Sequence, residues 1–203
     1  MHFHPITTTE VQSRTRTRLH ETKLGERILI QTKLEPSGPR FVLFGVKEDL
    51  GARANFGLGG AATAWDSFLN AFVNVQNTPF LRGQEIQLLG HFDFTVLPNH
   101  TDVALMRQQV EQVDAEVSVL VSQIVSAGKI PLIIGGSHAG AYANLKGAAL
   151  GLRKNQPTAA VNCINLDAHS DYRIIEGRHS GNGFRYAQEE GYLQQYSILG
   201  LHE

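Results

Sequence analysis

Apolar and polar positions along this chain alternate between two periods, one typical of strands and one typical of helices. Short apolar runs of the kind found in buried strands occupy residues 40–46, 85–89, 130–135, 159–166 and 196–200. Between them, apolar residues recur at helical spacing in 59–75 and 103–127, and a further helix is predicted at 184–191. Strands that alternate with helices indicate an α/β fold with a parallel sheet and right-handed crossovers.

A cluster of helix-breaking residues predicts where the domain begins. The run Pro36-Ser37-Gly38-Pro39 cannot continue a helix or a strand. It therefore separates an N-terminal arm, residues 1–38, from a single domain, residues 39–203. A chain of 203 residues that is 42% apolar is long enough to bury one substantial core.

Charge and cysteine content limit the kinds of binding partner and the cellular compartment that we expect for this protein. A net charge of −1 gives no electrostatic reason to expect binding to nucleic acid or to an anionic membrane. The only cysteine, Cys163, has no partner for a disulfide within the chain, which fits a reducing compartment. No apolar run approaches the ~20 residues that cross a bilayer, and no signal-peptide pattern opens the chain. We therefore expect a cytoplasmic protein.

A charged motif follows the apolar run at 159–166. In an extended chain alternate side chains share a face, so Asp167, His169 and Asp171 are expected to point the same way. Two carboxylates and an imidazole brought together at a strand end need a compensating cation. The pattern favours a metal site over the alternative, a solvated turn with a helix-capping aspartate.

A second strand end carries a histidine. The run Gly135-Gly136-Ser137-His138 follows the apolar segment 130–135, and its glycines allow a tight turn. Because the carboxyl ends of parallel strands share one edge of a sheet, His138 is expected to meet the first cluster. Carboxylate and imidazole donors without thiolates suit manganese or another hard or borderline divalent ion.

A polar, glycine-rich loop over residues 176–185 comes next. Ser180 and Asn182 offer neutral hydrogen-bonding groups, while Arg178 and Arg185 offer guanidinium forks for anions. We predict that these four residues bind substrate. The alternative is an ordinary connection whose arginines pair with neighbouring glutamates.

The three segments, in their order along the chain, resemble the ureohydrolases, the family of arginase, agmatinase and formimidoylglutamase. The resemblance covers about residues 39–203 and is carried most specifically by Asp167-Ala168-His169-Ser170-Asp171. It is closest to the formimidoylglutamase branch, because residues 51–55 resemble that branch's early loop and Phe184 stands where arginases have a histidine. The resemblance implies a three-layer α/β/α fold with a parallel sheet.

The resemblance also implies a ligand set and a reaction. Two Mn²⁺ ions would share Asp167, one of them also held by His138 and Asp171 and the other by His169. Hydroxide between the ions would attack the amidine carbon of N-formimidoyl-L-glutamate, giving L-glutamate and formamide in histidine breakdown. No further protein residue is assigned a catalytic role. Trimers or hexamers are the assemblies that the resemblance implies.

The substrate assignment has alternatives. A substrate with two carboxylates gives Arg178 and Arg185 a role, whereas agmatine has no carboxylate for them to bind. An agmatinase-like or arginase-like hydrolase is nevertheless an alternative. A single-zinc deacetylase would share the Asp-x-His strand end, but Asp171 and the Ser180 loop favour the ureohydrolases.

One family feature is missing from the sequence. The two remaining ligands of the family sit on a later Asp-x-Asp strand end, and this chain runs to Leu201-His202-Glu203 without one. We therefore expect residues 1–203 to hold at most one weakly bound ion and to hydrolyse no amidine usefully. A non-catalytic fragment or paralogue is the competing hypothesis. The last strand should also leave an apolar edge that further strands would cover.

Overall fold

A computed structural model describes residues 2–202 and contains seven strands and six α-helices. The strands are β1 (Phe3–Pro5), β2 (Leu29–Ile30), β3 (Phe41–Lys47), β4 (Ile86–Asp93), β5 (Ile130–Ile134), β6 (Val161–Leu166) and β7 (Leu193–Leu199). The helices are α1 (Thr8–Arg14), α2 (Leu50–Arg53), α3 (Ala64–Phe72), α4 (Val103–Ser126), α5 (Gly140–Leu152) and α6 (Gly183–Glu189). None of these helices combines the length and the apolar character that a membrane crossing requires.

The larger sheet has the order β1-β4-β3-β5, with the short β2 also paired to β4. All of its pairings are parallel except that of β1 with β4. Alternate residues of β3 face opposite layers: Val42 and Phe44 pack with α4 and α5, whereas Leu43 packs with α1 and α3. The predicted three-layer α/β/α fold is confirmed for this sheet.

The first 38 residues add elements to these same layers. β1 extends the sheet, and Val11 of α1 is buried against the core that contains Leu43 and Leu88. The division into an arm and a domain stays a prediction, and its outermost residues, Met1 and Glu203, lie outside the described part of the chain.

β6 and β7 form a second, two-stranded parallel sheet rather than a continuation of the first. Within residues 2–202, β5 pairs only with β3 and β6 only with β7, so two free edges border a cavity of about 500 Å³ lined by Ile133, Cys163 and Phe184. The expectation of one sheet is therefore wrong for the described residues. Helices α5 and α6 cover one face of the small sheet, and the other face exposes apolar side chains.

Long helix α4 crosses behind the larger sheet and packs closely on α5. The side chain of Asp102 caps its start by accepting hydrogen bonds from the Ala104 and Leu105 N–H groups, and Gly128 follows its end at a φ of +73°.

α3 is shorter than the predicted segment 59–75, because Gly60 adopts a φ of +123° and a 3₁₀ turn precedes the helix.

Candidate metal centre

The residues of the candidate metal site follow the carboxyl ends of two strands, β5 and β6. After β5, Gly135 and Gly136 adopt φ values of +88° and +78°, backbone conformations that favour glycine, and turn the chain toward His138. β6 ends at Leu166, so Asp167 follows the strand directly. Both strands run parallel to their neighbours, and their carboxyl ends converge although they belong to different sheets.

The structure brings three of the four predicted metal ligands together. His138 Nδ1 lies 3.0 Å from Asp167 Oδ2 and 2.5 Å from Asp171 Oδ2. These residues offer ligand atoms that all lie within 4.8 Å of one another. The predicted meeting of His138 with the aspartates is therefore found.

His169 does not join this group. Its side chain is 82% exposed, and its ring Nδ1 lies 3.3 Å from Asp167 Oδ1, on the other oxygen of that carboxylate. The prediction assumed an extended chain through the motif, but β6 ends at Leu166 and the His169 N–H donates to Asp167 Oδ1 at 2.9 Å. This turn, together with a φ of +45° at Asp171, returns the second aspartate to His138 and leaves His169 at the surface.

The electrostatics of the cluster fit a cation. The hydrogen bond to Asp171 raises the pKa of His138 despite its partial burial, and the charges of both aspartates act in the same direction. The His169 backbone N–H lowers the pKa of Asp167, and His138 adds to the effect. A positive charge between the carboxylates is thus stabilising, and one imidazole with two carboxylates is a donor set that manganese accepts.

A cleft of about 610 Å³ borders the cluster and contains part of the predicted substrate loop. Ser180 lines it as predicted, with its hydroxyl oxygen accepting from Asn55 Nδ2 at 3.2 Å. Arg173 also lines it and donates to Asn55 Oδ1 at 2.8 Å. Neither Asn55 nor Arg173 was predicted to bind substrate, although Asn55 closes the early family-like loop and Arg173 follows Asp171 by two residues.

Arg178 and Asn182 do not face the cleft, which corrects their assignment. Arg178 is 2% exposed and its Nε donates to Asp114 Oδ2 at 2.8 Å. Asn182 is fully buried, accepts from Arg178 Nη1 at 2.7 Å and donates to the Gly177 carbonyl at 2.9 Å. Both side chains use their hydrogen-bonding capacity inside the protein, so neither is available to a substrate.

Arg185 lies near the surface on α6, outside the residues that line the cleft. Its Nη2 is 3.5 Å from Glu189 Oε1, one turn along the helix, and its guanidinium carbon is 5.6 Å from the centre of the Tyr172 ring. Arg185 therefore follows the alternative given above, pairing with a neighbouring glutamate, and it is not among the described residues that line the cleft beside His138, Asp167 and Asp171.

Comparison with known sequences identifies formimidoylglutamases among the relatives of this chain. The model of the Arginase family matches residues 40–203. A formimidoylglutamase from Streptococcus gordonii is 30% identical over 172 residues, which cover 82% of this chain and 48% of the relative. One from Chromobacterium violaceum is 29% identical over 178 residues, covering 86% and 52%. The chain thus spans about half the length of the curated relatives that it matches.

Solved structures share the fold. A formimidoylglutamase from Bacillus subtilis superposes with a TM-score of 0.62 at 23% identity, over 93% of this chain and 55% of the other. A formiminoglutamase from Trypanosoma cruzi, described with Mn²⁺, gives a TM-score of 0.65 at 21% identity, over 90% and 58%. At these identities the likeness establishes the architecture.

Proposed function

The chain belongs to the arginase family, and from that premise we propose that it forms part of a manganese-dependent hydrolase of linear amidines, similar to formimidoylglutamase. The observation that carries the proposal is the convergence of His138, Asp167 and Asp171 beside a cleft lined by Ser180. The names of the relatives support the formimidoylglutamase branch, and because this chain spans about half of their length, we propose the activity for a full-length form.

His138, Asp167 and Asp171 would hold one Mn²⁺ ion. The T. cruzi structure with Mn²⁺ supports the choice of metal, as does the donor set. When bound, a divalent ion lowers the pKa of its water enough to provide hydroxide near neutral pH. Of the four predicted ligands, only Asp167 and His169 would be left for a second ion, and the His169 side chain is turned to solvent. We therefore propose at most one weakly held ion for this chain.

The residues of the cleft suit a substrate with a carboxylate. Arg173 lines the cleft and is half-exposed, with Nη1 donating to Asn55 and Nη2 3.7 Å from Glu176 Oε1. Unlike the buried Arg178, its guanidinium remains accessible to a substrate carboxylate. Asn55 and Ser180, which bond to each other, offer neutral donors and acceptors on the same wall. N-formimidoyl-L-glutamate carries both an amidine and carboxylates, whereas agmatine lacks the group that Arg173 would recognise. Arg173 therefore takes the role that the sequence assigned to Arg178.

The test is to purify residues 1–203, titrate Mn²⁺ by electron paramagnetic resonance and assay formamide release from N-formimidoyl-L-glutamate. We expect one weak site and no useful turnover, because the carboxylates present carry too little negative charge to offset the repulsion between two neighbouring cations. Asp171→Asn should abolish the site, while Glu189→Gln, an exposed carboxylate outside the cluster, should leave it intact.

One result would contradict the proposed metal site, and another would contradict the expectation that residues 1–203 are inactive by themselves. Equal Mn²⁺ affinity of the parent and Asp171→Asn would show that the ion is not bound by the proposed group of three residues. Turnover at an ordinary enzymatic rate, on the order of 1 per second or faster, would refute the expectation that residues 1–203 lack the ligands for catalysis.

A further inference from the structure

A buried ion pair lies behind the metal cluster. Asp114 on α4 and Arg178 in the loop before α6 are 64 residues apart, and their side chains are almost completely enclosed. Burial raises the pKa of Asp114 to about 6, although Arg178 favours the ionised form, so the pair is charged at neutral pH. Taking two charges out of water costs several kcal/mol per ion before their attraction is counted. The further hydrogen bonds of the pair must therefore offset part of this cost, and their partners indicate the structural role of the pair.

The other hydrogen bonds of Arg178 go to the segments that form the site. Its Nη2 donates to the carbonyl oxygen of Ala139, the residue after His138, at 2.9 Å. Its Nη1 donates to Asn182 Oδ1 at 2.7 Å, and the same oxygen accepts the His179 N–H at 3.1 Å. The guanidinium thus joins α4, the turn that carries His138 and the loop that carries Ser180.

Aromatic rings enclose this guanidinium. The Arg178 guanidinium carbon lies 4.6 Å from the centre of the Tyr142 ring and 5.1 Å from that of Tyr186. Such cation–π contacts stabilise a planar cation and restrict its rotation. They keep the guanidinium fork in the orientation that reaches Ala139.

A second buried charge holds the other side of the same histidine. Glu48, which follows β3, is 3% exposed, and its Oε1 accepts a hydrogen bond from the Ser137 N–H. Its Oε2 accepts from the Gly51 N–H at 3.1 Å. The Gly51 carbonyl in turn accepts from the Ser180 N–H at 2.9 Å, which ties the substrate loop to the same network.

We propose that Glu48, Asp114 and Arg178 are positioning residues that fix the backbone on both sides of His138 and so aim its imidazole at Asp167 and Asp171. Glu48 restrains the residue before His138, and Arg178, oriented by Asp114, restrains the residue after it. None of the three needs to contact a metal or a substrate. The positioning is a property of the chain itself, and only what the positioned histidine binds rests on the proposed function.

The primary test is amide hydrogen exchange of the metal-free protein, comparing residues 136–141 with β3. In Arg178→Gln we expect the 136–141 amides to exchange about 10- to 100-fold faster, as for the loss of a charge-assisted hydrogen bond. The amides of β3 should change little. Arg178→Lys should restore the ion pair but not the protection of this segment, since an ammonium cannot span Asp114, Ala139 and Asn182 as a guanidinium fork does.

Glu48→Gln provides a second variant of nearly the same shape. It can accept only one of the two N–H groups that Glu48 accepts, so exchange should quicken at Ser137 or Gly51. Arg82→Gln is the matched control, because Arg82 pairs with Glu85 at the surface. Mn²⁺ titration is the second readout, and a 10- to 100-fold weaker site is expected in the positioning variants, about the effect of losing groups that orient metal ligands.

The outcomes separate this proposal from the proposed function. Equal acceleration in residues 136–141 and in β3 would reduce the network to general stabilisation and overturn the proposal, as would unchanged exchange in 136–141. If the parent binds no Mn²⁺, the proposed metal site fails while the exchange experiment still decides the positioning role.

Discussion

At the scale of single residues, His179 shows how the loop at residues 176–185 depends on the protonation of one ring. The residue is fully buried. Its Nδ1 accepts the Gly181 N–H at 3.1 Å and its Nε2 lies 3.2 Å from Glu176 Oε1, so a neutral ring with its proton on Nε2 satisfies both contacts. Burial lowers the pKa of His179, and the charge of Arg107 lowers it further.

This pKa predicts a loss of stability in mild acid. The unfolded histidine, with a pKa of about 6.5, takes up its proton before the folded one does. The contribution of His179 is therefore present in full above about pH 6.5 and is lost as the pH falls toward the lowered folded-state pKa. In His179→Asn, whose Oδ1 can accept the Gly181 N–H, the free energy of unfolding in urea should fall less between pH 7.5 and 5.5. The surface variant His20→Asn should behave like the parent, and an identical pH dependence in His179→Asn would contradict the prediction.

At the scale of elements, the contact between α4 and α5 sets the frame of the site. α4 carries Asp114, and α5 begins two residues after His138. The two helices approach closely because Gly147 has no side chain: a Cβ there would lie 2.6 Å from the Ser118 carbonyl oxygen and 2.6 Å from Val121 Cβ. Helix packing therefore determines how far the buried ion pair stands from the histidine.

Gly147→Ala is predicted to destabilise the protein. The overpacked methyl group should cost about 1–3 kcal/mol, which exceeds the helix-propensity gain of at most about 1 kcal/mol. Gly140→Ala on the same helix is the control, since no described atom outside the adjoining residues and helix backbone lies within 4 Å of the added methyl group. Urea unfolding should show a lower midpoint for Gly147→Ala only. A midpoint at or above that of the parent would mean that α4 and α5 can separate without loss.

At the scale of the whole molecule, the small sheet leaves apolar surface uncovered. Ile164 is 72% exposed on the face opposite α5 and α6, and Leu166 and Leu199 are exposed beside it. The sequence predicted an apolar edge on the last strand. The exposed side chains found here lie on a face of the small sheet, and the unpaired edges of β5 and β6 in residues 2–202 lie elsewhere. Surfaces of this kind promote association.

Self-association is therefore expected, and it should depend on this face. Ile164→Lys should lower the association measured by sedimentation velocity at increasing concentration, because a charge interrupts the apolar face. The free energy of unfolding should stay within about 0.5 kcal/mol of the parent, as for other surface changes. Leu19→Lys alters a residue that is 85% exposed elsewhere and should have no effect. Equal association of Ile164→Lys and the parent would show that another surface is responsible.

The sequence by itself determined the alternation of strands and helices and three residues of the candidate metal site, His138, Asp167 and Asp171. Apolar runs that end in charged residues identify strand ends, and parallel strands must bring those ends together. For this reason His138 could be matched with Asp167 and Asp171 although they are far apart in the chain. The family resemblance, carried by the same motif, added the three-layer fold and the proposal of a formimidoylglutamase-like activity.

Only the tertiary structure decided the remaining points. Sequence spacing predicted a shared face for His169, but a local hydrogen bond from its own N–H turns the chain after β6. The place of Arg178 in a polar, glycine-rich loop predicted that it binds substrate. Its partner Asp114 lies on a distant helix, and no local sequence pattern predicts that pairing. The division into two sheets depends on which strand edges meet in space. Each of these outcomes is set by contacts between residues that are remote in sequence or by a turn that periodicity does not encode.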